Sequence, residues 1–217
     1  MIARTMQRFL RLFGGRPEPI ENRLELLDFL KSQSSFVAQK AVVEYCRIKA
    51  GVRWQKLFAE RAFLDVLEES RWRAMRAVLC DMTVISEGYL RESAAPHQIA
   101  LADALCALID ELLSGYVRDN VWQIDNRAVV AELRRRLALA QLAAPQTPDR
   151  IARTSGNIVF DLLPVHPDLR AHDRQVIVNN VRFSTLRVWE TMMARTPDRA
   201  RLVASLLAGQ HDVPGND

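Results

Sequence analysis

The chain has 217 residues, of which 49 % are hydrophobic and 26 % charged, with only 8 Gly and 9 Pro. That balance excludes the disordered, collagen-like and disulfide-scaffold classes, and a chain of this length buries about 70 % of the surface its unfolded form exposes. A formal charge of +4 does not by itself point to nucleic acid, which calls for a clustered basic patch.

Met1 to Phe13 is the most asymmetric stretch. At about 100° per residue Ile2, Met6, Phe9, Leu10 and Phe13 fall on one side of a helix and Arg4, Arg8 and Arg11 on the other. No acid precedes Glu18, and Gly14, Gly15, Pro17 and Pro19 form a linker. Three readings fit: a first helix docked on the core, a membrane-surface anchor, or an organelle transit peptide. In the anchor reading Met6, Phe9, Leu10 and Phe13 insert while Arg4, Arg8 and Arg11 meet lipid phosphates.

From Ile20 to Lys31, Leu24, Leu27, Phe29 and Leu30 recur at helical spacing. Ser32 to Ser35 reads as a stop followed by a fresh cap. A second helix is expected from Phe36 to Ala50, closed by Gly51. Val52 to Arg91 is too long for one ordinary helix and is read as two, with a joint near Glu68 to Ser70. The second of these, around Ala77 to Ser86, is the expected central helix. Asp81 interrupts it, and its neighbours three and four residues away, Ala77, Val78, Val84 and Ile85, leave it without a local partner. Its partner must come from another helix or from water.

Pro96 opens the next helix, to about Arg118, with Leu101, Leu105, Leu108, Ile109 and Leu112 inward and Asp103, Asp110 and Glu111 outward. Those outward acids, and the absence of a Glu-x-x-His spacing, argue against a di-metal bundle. Asn126 is read as the cap of a helix to Ala143 that spreads Arg134, Arg135 and Arg136 around a solvated face. Thr147, Pro148, Asp149 and Arg150 repeat as Thr196, Pro197, Asp198 and Arg199, and both copies read as helix starts. Gly156 permits a close helix approach or marks a break. Gln175 to Ala194 fits a helix better than a hairpin, and Leu202 to Leu207 a short last helix.

Cys46, Cys80 and Cys106 lie in apolar helical contexts, which suits buried thiols in a reducing compartment and hence a cytoplasmic protein. No apolar run approaches the ~18 residues of a membrane span. The chain carries no nucleophile elbow, dinucleotide or phosphate loop, or zinc spacing, so neither a metal nor a cofactor is expected.

The expectation is an all-α, multi-helix bundle of about eight or nine helices over residues 20–209, preceded by the amphipathic helix and linker of residues 1–16 and followed by a tail at 210–217. The functional expectation is a non-enzymatic adaptor or assembly factor that binds a protein partner, an acidic membrane surface, or both. The alternative is a bundle that binds or transforms a small apolar molecule in an interior cavity, with Trp72 and Asp81 as candidate lining residues. A weaker one is nucleic-acid binding through Arg134, Arg135 and Arg136 with Arg71, Arg73 and Arg76.

Overall fold

The computed structural model describes residues 18–116 and 125–209. Among these every regular element is helical, and the multi-helix bundle is the architecture. Helix α1, Arg23–Gln39, starts at a reciprocal cap: the Asn22 side chain accepts from the Glu25 amide, and the Glu25 carboxylate accepts from the Asn22 amide. The serines expected to stop it do not. Ser32 turns its hydroxyl back onto the Phe29 carbonyl, and Ser34 is buried against the Met82 sulfur, so neither competes with the helix ladder.

A widened π turn, Lys40–Glu44, follows without interruption and leads into α2, Tyr45–Ala50. Gly51 ends this rod with φ of 54°, a left-handed conformation that glycine adopts at little cost. A short 3-10 turn, Gly51–Arg53, and a single turn, α3 (Trp54–Leu57), then reverse the chain.

Helix α4 is the 30-residue element Arg61–Leu90. The break in the Val52 to Arg91 stretch therefore falls at Phe58 to Glu60, and the Glu68 to Ser70 region lies inside the helix. The acids there are matched by arginines one turn on, Glu68 by Arg71 and Glu69 by Arg73, so they support the helix instead of ending it. Every residue from Val78 to Glu87 is buried. A helix apolar all round is one surrounded by others, and α4 is packed by α1 on one flank and by the later helices on the rest.

Those helices are α5 (Gln98–Ser114), α6 (Asn126–Ala140), α7 (Pro148–Ile151), α8 (Arg153–Leu162), α9 (Pro167–Arg170), α10 (Arg174–Arg195) and α11 (Arg199–Ala208). Residues 175–189 are helical within α10, not a hairpin. The two identical tetrapeptides behave differently. Thr147 stands at the cap position before Pro148, whereas Thr196 closes α10 and Asp198 caps α11 by accepting from the Arg201 amide. Likewise Asp125, not Asn126, caps α6, accepting from the Ala128 amide.

Helix α8 packs closely on α10. A Cβ placed on Gly156 would sit 3.1 Å from the Val178 Cα, so the glycine is there for close approach and not as a break. Gly156→Val should therefore force the two helices apart and lower stability by about 2 kcal/mol, read as a fall in the denaturant midpoint. An unchanged midpoint would show that the crossing tolerates the added volume.

Candidate functional site

Asp81 is completely buried at the middle of α4. Its carboxylate accepts from the Arg136 guanidinium of α6 and from the Ser155 amide of α8, 2.9 Å away. The sequence requires a partner from another helix, and two helices supply one each. Burial acts most strongly on this carboxyl and pushes it upward, while Arg136 and Ser155 pull it back. Arg136 is thus drawn off the solvated face expected for Arg134 to Arg136, where Arg134 and Arg135 remain.

Six residues on, Glu87 is also completely buried. Arg91, one turn further along α4, grips it with two bonds of 2.8 and 2.7 Å and donates as well to the Ala140 and Ala143 carbonyls at the end of α6. Gln141 reaches the same carboxylate at 3.2 Å. The i,i+4 spacing of Glu87 and Arg91 is the sequence signal for this second stitch, though the spacing alone does not tell a buried pair from the commoner exposed one.

Two clefts flank Arg136. One of about 230 Å³ is walled by Val84, Gly88, Leu139, Pro145 and Ile151. The other, of about 370 Å³, opens between α4, α6 and α8 and is floored by Ala77, Cys80, Val129, Ile158 and Leu162, with Arg76 at its end. Burial pushes the Cys80 thiol up to about 12, so it lines the cleft as a neutral sulfur. Trp72 lines neither cleft. It stacks edge-on against Tyr116 with centroids 4.8 Å apart, beneath the guanidinium groups of Arg71 and Arg76. Asp81 has its oxygens filled by protein donors and is not turned into an interior cavity.

The second candidate surface is the tip formed by α2, the Gly51 turn and α3. Ile48 is 71 % exposed, Val52 95 % and Trp54 37 %. Arg47, Arg53 and Lys56 stand among them, all exposed, and no acid pairs with them among the described residues. The tip is held from behind. Trp54, Phe58 and Phe63 form a ring chain with centroid spacings of 6.0 and 5.3 Å. Asp173 accepts from the Tyr45 hydroxyl at 2.6 Å and meets Lys49 at 2.5 Å, and Lys49 also donates to the Leu169 carbonyl.

The expected binding residues Arg4, Met6, Arg8, Phe9, Leu10, Arg11 and Phe13 lie outside the described residues, as does the 210–217 tail. No helix of the described residues is long and apolar enough to cross a membrane. Of the arginines proposed for nucleic acid, Arg76 is buried, Arg136 is bound to Asp81, and Arg71, Arg73 and Arg135 are paired with glutamates. No family model, curated protein or solved structure matches the chain.

Two outcomes follow from this geometry. Asp81→Leu strands the Arg136 guanidinium and the Ser155 amide and should cost about 3 kcal/mol, most of it recovered when Arg136→Met is added. Equal losses for the single and double variants in denaturant unfolding would mean that the pair is not coupled. Lys49 and Tyr45 hold the Asp173 carboxyl below the usual carboxylate range. With the folded value depressed, the clamp is fully present above the ordinary carboxylate range and is lost as the pH falls through the lowered value. The protection factors of the Tyr45–Ala50 amides, exchange rates corrected for the intrinsic pH dependence, should therefore fall on acidification before those of the α4 core, and the Asp173→Asn protein should lack that early loss of protection.

Proposed function

We propose that this chain is a non-enzymatic helical protein that works by binding, an adaptor or assembly factor recruited to an acidic membrane surface. The observation that carries this reading is the tip: three cations without acidic partners among the described residues, interleaved with the exposed Ile48 and Val52 and beside the part-exposed Trp54.

A Cβ added at Gly51 would meet nothing within 4 Å, so the turn is open to solvent there. A bilayer interface moulds around an exposed tip, takes up aliphatic side chains and indole rings, and attracts lysine and arginine through its negative surface potential. The engaged charges elsewhere point the same way: Asp81 and Glu87 are bound to arginines and serve the fold.

The amphipathic stretch from Ile2 to Phe13 has the same chemistry in its sequence, phenylalanines opposite arginines. A single short amphipathic element binds a membrane weakly and reversibly, and two on one chain raise affinity through effective concentration. The protein partner that an adaptor implies is part of the proposal.

Co-sedimentation with vesicles of phosphatidylcholine and phosphatidylserine tests it. The full chain should pellet with these vesicles, be released by salt, and ignore vesicles of phosphatidylcholine alone. The Arg47→Glu, Arg53→Glu, Lys56→Glu triple variant should bind at least ~10-fold more weakly, since each basic residue near the surface is worth about 1 kcal/mol. Removal of residues 1–16 should weaken binding as well. Binding that survives both changes together, or that does not distinguish the two lipids, overturns the reading.

A further inference from the structure

Arg76 is a buried cation with no acidic partner among the described residues. It is 4 % exposed, yet its hydrogen bonds go to neutral oxygens: Nε donates to the Asn126 side chain at 3.0 Å and a terminal nitrogen to the Trp72 carbonyl at 3.2 Å. Its guanidinium lies 5.7 Å from the Trp72 ring. Burial lowers its affinity for the proton, and among the described residues the ionisable groups that act on it are the Tyr116 hydroxyl and the Arg73 guanidinium, neither of them a carboxylate. A buried guanidinium ordinarily has an acid beside it, because desolvating an unpaired charge is costly.

This cation lines the cleft of about 370 Å³ between α4, α6 and α8. The other charged groups of the cleft are already taken: Arg136 by Asp81, Arg73 by Glu69, and Glu132 by a two-pronged contact with Arg135 at 2.7 and 2.8 Å. Apart from Thr154 the remaining wall is apolar, and Ile158 is still 40 % exposed. A pocket of this size, with an apolar stretch of wall and a buried cation whose hydrogen bonds go to neutral oxygens, has the anatomy of a small-molecule site.

We infer that the cleft between α4, α6 and α8 binds a small carboxylic acid with an apolar tail, the carboxylate on Arg76 and the tail along Ala77, Cys80, Val129, Ile158 and Leu162. The carboxylate supplies the negative charge that Arg76 lacks, and a planar guanidinium presents its donors in the spacing a carboxylate accepts. The neutral Cys80 thiol adds apolar wall without competing for the anion. This site is remote in chemistry from the membrane-facing tip and does not depend on it, so loss of vesicle binding leaves it standing.

Isothermal titration of the full chain with octanoate, and separately with octan-1-ol, tests the inference. Octanoate should bind saturably at one site, and the alcohol of the same chain length at least ~10-fold more weakly, the difference a charge-assisted hydrogen bond makes. Arg76→Gln should weaken octanoate by a similar factor and leave octan-1-ol unchanged. Because Arg76 is buried and its variant can lose the fold, Ala128→Trp, at an exposed position on the cleft rim, provides a second arm and should abolish octanoate binding without lowering the unfolding midpoint. No saturable binding of octanoate, equal binding of acid and alcohol, or undiminished binding by a folded Ala128→Trp protein overturns it.

Discussion

The architecture depends on a charge placed where charges are most expensive. Asp81 sits inside a helix that other helices surround, and it stays there because α6 lends Arg136 and α8 lends the Ser155 amide. Hydrophobic contact is non-directional and tolerates sliding, whereas a buried carboxylate with two donors from two different helices accepts one register. Glu87 repeats the device with Arg91 and Gln141 at the far end of α6. Together the two acids fix where α6 lies along α4, a task that the leucine and valine faces leave underdetermined.

Much of the helical layout was legible in the sequence because it rests on periodicity. The α5, α10 and α11 segments show apolar residues at helical spacing, and Ala77 to Ser86 announces a helix with neighbours on all sides. The misplaced boundaries share a cause. Ser32 to Ser35, Glu68 to Ser70 and Thr196 carry residues that terminate helices when their side chains face their own backbone ends. Here Ser34 turns to Met82, the two glutamates to Arg71 and Arg73, and the capping job at Thr196 passes to Asp198. Which of these competing bonds forms is a tertiary matter, invisible in one dimension.

The site residues divide along the same line. That Asp81 needs a partner from elsewhere was readable from its local neighbours, but Arg136 as that partner was not, since it belongs to a run of three arginines with equal claim to solvent. In the sequence Arg76 reads as one of a surface cluster with Arg71 and Arg73, and only the placement of Trp72, Asn126 and Tyr116 around it reveals a cation enclosed without an acid among the described residues. Trp72, expected as a cavity-lining residue, packs against Tyr116 beside that arginine.

The π turn at Lys40–Glu44 bears on how the tip came to point as it does. Such a turn holds one residue more than the α-helix on either side, so whatever follows is rotated by about 100° about the common axis. Tyr45 and Lys49 thereby meet Asp173, and Ile48 is left looking outward. The one extra residue of this turn therefore decides which side of α2 packs on the body and which is left in solvent.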